Sequence, residues 1–221
     1  MKAWPLLLAA ALAACGRPGP APAPPPGRAP ALKAYADLGR DPALCRAALE
    51  RMGIRPTIVQ GRAGPGGCGY GWAVSRQPAP PGNPRWLPDQ PVTSCAVAAA
   101  LTRWEQDVLQ PAARRHLGEA VVAIRHFGGY GCRPISNRPG AQLSEHARAN
   151  AVDIGGFRLA SGRDITVLKH WNGNAAERAF LREIRNGACR HFGTTLSPDY
   201  DAPHADHLHV DQAARSQPFC R

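Results

Sequence analysis

Six cysteines, Cys45, Cys68, Cys95, Cys132, Cys189 and Cys220, run through this chain without a single CxxC pair. That spacing suits neither a zinc finger nor a thioredoxin-like motif. It suits three disulfides in a chain exposed to an oxidising compartment. Six cysteines allow fifteen pairings, and the sequence does not choose among them. A Cys45–Cys68 link, clasping an N-terminal helix to the loop after it, is the pairing we expect. Six free, buried thiols are the alternative.

The N-terminus bears on the compartment. Lys2 gives a positive start, residues 5–12 form a short apolar stretch, and residues 12–16 read LAACG, a lipobox. The stretch is too short to span a bilayer as a mature helix and ends in small residues, as signal peptides do. Residues 1–14 therefore read as a lipoprotein signal peptide. Cleavage before Cys15 makes that residue the lipid-bearing terminus, anchored to a membrane without threading it. A plain secretory signal is the alternative. Gly16 after the cysteine resembles lipoproteins of the outer membrane more than those of the inner. Residues 15–31 make a proline-rich tether. The seven prolines among residues 16–31 favour polyproline II, at about 3.1 Å per residue, and a reach of very roughly 50 Å.

Residues 32–221 suit one domain. The net charge of +11 and pI near 10.0 raise the possibility of nucleic acid. Export argues against it, and no helix carries a dense basic face. Anionic wall polymers, peptide stems or lipid headgroups fit such a surface better.

The element pattern predicts α+β: a small, mainly antiparallel sheet with packed helices. Asp41-Pro42 opens a helix that Gly53 stops. Residues 56–60 and 70–75 are strand candidates around a glycine-rich turn, and residues 77–91 read as a proline-rich loop. Ser94 caps the strongest helix, with Val97, Leu101, Trp104 and Val108 on one apolar face. Residues 119–127, 151–159 and 164–168 read as strands and residues 175–192 as a helix. Residues 207–211 read as a last strand.

Two segments, SEHARANAVDI at 144–154 and HADHLHVD at 204–211, hold four of the chain's eight histidines. In an extended strand His207 and His209 share a face. His146 and Asp153 are too far apart for adjacent helical turns, so a loop entering a strand must join them. Two imidazoles and one carboxylate suit Zn²⁺, leaving a fourth position open.

The first segment resembles the S-x-H-x-x-G-x-A-x-D signature shared by D-Ala-D-Ala carboxypeptidases, dipeptidases and the hedgehog signalling domain. Ser144, His146, Ala151 and Asp153 match; Ala149 stands where glycine is usual. The second, through His204, His207 and His209, resembles the closing H-x-x-H-x-H of penicillin-insensitive murein endopeptidases. From residue 44 to 211, the cysteine-led opening, the GGCG turn, a helix ending in Pro111 and both segments resemble the bacterial extensin-like C-terminal domain family. The resemblance implies a hedgehog/DD-peptidase-like fold with His146, Asp153 and His209 as zinc ligands. Their other ring nitrogens would donate to Asp211 or a backbone carbonyl. It also implies a general base, His207 first and Asp206 second, and a supporting or oxyanion-stabilising His204. Substrate would be held by Ser144 and by Arg133, whose Gly129-Tyr130-Gly131-Cys132-Arg133 context looks like the G-Y-R segment that precedes the first ligand in those zinc peptidases, with an insertion of two residues. The expected function is zinc-dependent hydrolysis of peptidoglycan stem peptides on the periplasmic side of a membrane. The alternatives are a zinc-stabilised wall-binding module without turnover and an envelope adaptor.

Overall fold

The computed structural model describes residues 35–76 and 83–221. The leader, Cys15 and the whole tether lie outside them. No described helix is long and apolar enough to cross a membrane.

Mixed α+β architecture is what the sequence produces. Helix α1 (Pro42–Arg51) starts on Asp41, whose carboxylate accepts from Ala43 N, and stops at Gly53 with φ +80°. Strands β1 (Pro56–Ala63) and β2 (Gly69–Arg76) form a separate antiparallel hairpin. Strand β3 (Arg85–Leu87) follows, within the segment expected to be loop. Three residues among prolines show no alternation. The strand exists because it pairs, in parallel, with residues 123–125 of β4 (Val121–Gly128) at the sheet edge.

Helix α2 (Cys95–Trp104) begins on Ser94 and buries Val97, Leu101 and Trp104 as the periodicity requires. The helix does not end at Pro111. A wider π-type turn over Glu105–Leu109 carries it into α3 (Gln110–Leu117). A proline removes one helical hydrogen bond and crowds the preceding turn, and widening that turn accommodates both effects. Arg76 and Glu105 form a buried ion pair at 2.7 Å, with Trp86 Nε1 donating to the same carboxylate oxygen.

The large sheet runs β3-β4-β5 (Ala151–Leu159)-β8 (Leu208–Asp211)-β7 (Thr194–Leu196)-β9 (Phe219–Cys220), with β6 (Asp164–Thr166) also on β5, and is mainly antiparallel. Its centre is β5 (Ala151–Leu159), buried along nearly its whole length. Strand β6 (Asp164–Thr166) is shorter than expected, because Thr166 caps a helical turn, α4 (Val167–His170). Helix α5 (Ala175–Ala188) starts on an Asn174–Glu177 capping box and buries Phe180, Leu181 and Ile184. Trp104, Phe157 and Phe180 stack in the core between the helices and the sheet, and Trp104 Nε1 donates to Ile184 O at 2.9 Å. Each such side chain contributes roughly 1.5–3 kcal/mol by leaving water.

Strand β7 (Thr194–Leu196) was not foreseen. Strand β8 (Leu208–Asp211) begins one residue after His207 and is not the last, since β9 (Phe219–Cys220) follows and pairs with β7. The six cysteines form three disulfides, Cys45–Cys95, Cys68–Cys132 and Cys189–Cys220. The expected Cys45–Cys68 link is therefore incorrect. Strands of eight residues, at about 3.3 Å each, carry Cys68 to the far tip of the hairpin, away from α1. Cys45 instead faces the first residue of α2.

Candidate metal centre

Sheet register brings two of the three candidate ligands together. Asp153 in β5 lies opposite His209 in β8 on one side and Gly128 in β4 on the other. Cross-strand partners hold their Cβ atoms about 4.5–5.5 Å apart. His146 arrives from a tight helical turn, Glu145–Arg148, just before β5. Ser144 Oγ accepts from His146 N at 3.4 Å where that turn begins, and Ala149 ends it at φ +54°. A β-carbon in that left-handed conformation costs roughly 1–2 kcal/mol. Glycine suits the position for its backbone freedom, and not only for its size.

The ligand atoms of His146, Asp153 and His209 all lie within 4.8 Å of one another, and all three residues are buried. His146 Nδ1 sits 2.7 Å from the Gly129 carbonyl, which can only accept, so that nitrogen carries the hydrogen. His209 Nε2 lies 3.0 Å from Asp211 Oδ2 and likewise donates. With both rings neutral, the lone pairs of His146 Nε2 and His209 Nδ1 then face each other at 3.2 Å. Asp153 Oδ1 stands 3.1 Å from the first and 2.9 Å from the second. Three buried acceptors so placed repel one another unless a cation joins them. Tetrahedral zinc at about 2.0–2.1 Å from each ligand separates ligand atoms by about 3.3 Å. The donor set and its spacing therefore fit that ion.

A proton meets the same demand in metal-free protein. Burial disfavours charge on His209, but hydrogen bonds to Asp153 and Asp211 outweigh it and raise the pKa to about 9. Burial also works against the Asp153 carboxylate. The hydrogen bonds from His146 and His209 overcome it and hold that group far below the usual carboxylate range. Arg133 Nη2 lies 3.4 Å from Asp153 Oδ2, with about a third of its side chain exposed (36%).

Beside the three candidate ligands stands a second layer of histidines. His207 precedes β8, yet its Nε2 is 3.5 Å from Asp153 Oδ1, on the ligand side. Its Nδ1 donates to Asp206 Oδ1 at 2.7 Å, which leaves Nε2 as an acceptor facing the centre. Asp206 thus stands behind His207 as its support. His204 Nδ1 donates to Asp201, and its ring centroid lies 5.1 Å from that of His207 and 6.0 Å from that of His209. Burial lowers the His204 pKa, and Asp201 only partly offsets it.

Ser144 is buried and serves as the cap just described. Asp201 and the exposed rings of Phe127 and Tyr200 had not been singled out. Phe127 stands edge-on to His207 at 6.0 Å, and Tyr200 lies 5.6 Å from His204. The available signal for Asp201 was the clustering of Asp199, Asp201, Asp206 and Asp211 around three histidines. Asp199 anchors this segment to α5 by accepting from Trp171 Nε1 at 2.9 Å, Arg182 and Arg185.

The profile of the family described as extensin-like protein C-terminus matches residues 43–221. No curated protein and no solved structure matches the chain.

Proposed function

The chain belongs to the extensin-like protein C-terminus family, and on that premise we propose that it is a zinc-dependent amidohydrolase cutting peptide bonds in peptidoglycan stems. A relationship to the hedgehog/DD-peptidase zinc enzymes, and a lipid on Cys15 holding the domain at the periplasmic face of the outer membrane, belong to the same proposal. The observation that carries it is the pairing of two facing imidazole lone pairs and a carboxylate with an adjacent Asp–His acid-base dyad.

His146 Nε2, Asp153 Oδ1 and His209 Nδ1 would hold the ion. Bound there, zinc supplies Lewis-acid chemistry: a polarised carbonyl and a more acidic water. His207 Nε2 takes the proton from the attacking water and returns it to the leaving amine. Asp206 holds His207 in the tautomer that leaves Nε2 free and stabilises the imidazolium as it forms. His204, oriented in the same way by Asp201, accepts a hydrogen bond from substrate. Arg133, about a third exposed beside Asp153, presents its guanidinium to a substrate carboxylate.

The test separates metal binding from turnover. His209→Ala should lose both zinc and hydrolysis of purified wall fragments, read by mass spectrometry. His207→Ala should keep its zinc and lose about 10²–10⁴-fold in rate, with Asp206→Asn losing less. Normal turnover in His207→Ala together with loss in Asp206→Asn would make Asp206 the base. Zinc binding without cleavage across a broad panel of wall peptides would make the chain a wall-binding module. Cys15→Ala should release the protein from membrane fractions, and its retention there would remove the anchor.

A further inference from the structure

Six large apolar side chains are exposed among the described residues, and the two aromatic ones, Phe127 at 57% and Tyr200 at 45%, both stand against the histidines beside the ligand cluster. Rings left partly in water forgo part of the stabilisation that full burial would give them. Phe127 is nonetheless firmly seated, because a β-carbon on Gly155 would come within 2.4 Å of its Cζ. The bare backbone of β5 makes the room. Tyr200 packs edge-on against Phe219 at 5.8 Å.

The rings meet in succession, a row by contact: Phe127, His207, His204, Tyr200, Phe219. Successive centroids are 6.0, 5.1, 5.6 and 5.8 Å apart. Side chains on one face of an extended peptide recur about every 6.6 Å, close to that spacing. Beyond Tyr200 the row turns basic. The guanidiniums of Arg221 and Arg215 lie over the Phe219 ring at 5.1 and 5.5 Å. Their hydrogen bonds go to neutral oxygens, from Arg215 Nε to Thr194 Oγ1 and from Arg221 Nη1 to the Cys220 carbonyl. Both side chains are exposed and keep donors for a carboxylate.

We propose that an extended acidic peptide binds along this row, its backbone crossing the histidines, its small side chains against Phe127 and Tyr200, and a carboxylate held by Arg215 and Arg221. The inference rests on the peptidase reading and adds where its peptide substrate lies and what selects an acidic one. A neutral glycan strand would leave the basic end unused.

Zinc-loaded protein is titrated calorimetrically with a synthetic stem peptide, the same peptide with its side carboxylates amidated, and a peptide-free wall oligosaccharide. Products are followed in parallel by mass spectrometry. In R215Q/R221Q the dissociation constant for the acidic peptide should rise about tenfold or more, while that for the amidated peptide stays put. Tyr200→Ala should weaken both peptides about tenfold, with zinc content and melting temperature unchanged in each variant. Wild-type affinity for the acidic peptide in both variants, no peptide binding by the wild type, or tighter binding of the oligosaccharide would each overturn the proposal. Binding with the expected dependence but no product would leave the row standing and remove the peptidase reading. Cleavage at unchanged KM in both variants would do the reverse.

Discussion

Removing the Cys68–Cys132 disulfide should weaken the metal centre as well as the fold. The bridge closes a sequence separation of 64 residues, for which the loop-entropy relation gives about 4 kcal/mol. A domain's whole stability is about 5–15 kcal/mol, so the variant still folds at low temperature. The bridge also ties the hairpin tip to the segment that positions His146. Within that segment the Gly129 carbonyl accepts from His146 Nδ1, Gly131 N donates to the His146 carbonyl, and the Tyr130 ring packs on Tyr70 and under Arg62. In C68A/C132A the segment loses its covalent clamp, and zinc affinity should fall about tenfold, the low end for removing support from a ligand. The comparison is C189A/C220A, whose separation of 31 residues also gives about 4 kcal/mol but whose bridge touches no ligand. Urea unfolding of metal-free protein measures stability, and competition with a chromophoric chelator measures affinity. Equal losses of zinc affinity in the two variants, or none in C68A/C132A, would refute the reasoning.

Ala149→Gly should stabilise the protein by about 0.5–1 kcal/mol, because relief of the left-handed β-carbon exceeds the added unfolded-state entropy; a lower melting temperature would show that the alanine methyl matters more. In metal-free protein the raised pKa of His209 adds stability that is complete below about 6.5 and lost as pH rises through about 9. Zinc affinity should climb over that same interval, since the ion no longer displaces a proton. Unfolding and chelator competition at both ends of the window check this, and parallel trends in the two would contradict it.

Long elements with strong periodicity were legible in the sequence. The α2 face and β5 could be read because burial repeats along enough residues to override local noise. Strands β3, β7 and β9 could not, since two or three residues carry no period and owe their existence to a partner edge. The disulfide pairing was hidden for the same reason: it depends on how far the hairpin projects, which neither strand encodes alone. The histidine and carboxylate segments stood out by composition. What they omitted was everything supplied by the backbone or by neighbours in space, such as the Gly129 carbonyl, the ring of Phe127 over Gly155, and Asp201 behind His204.

The Gly129 carbonyl has a consequence for how such a centre evolves. Every amino acid offers a carbonyl, so no substitution at position 129 deletes the group that fixes the His146 ring. Selection acts on its placement instead. A β-carbon at 129 would come within 2.7 Å of the Val92 carbonyl, pushing two chain segments apart and dragging the acceptor with them. The chemical requirement of an imidazole is thereby recorded as a steric requirement for hydrogen, at a residue with no functional group of its own. Drift that replaced this glycine would disturb the proposed metal site while leaving His146, Asp153 and His209 in place.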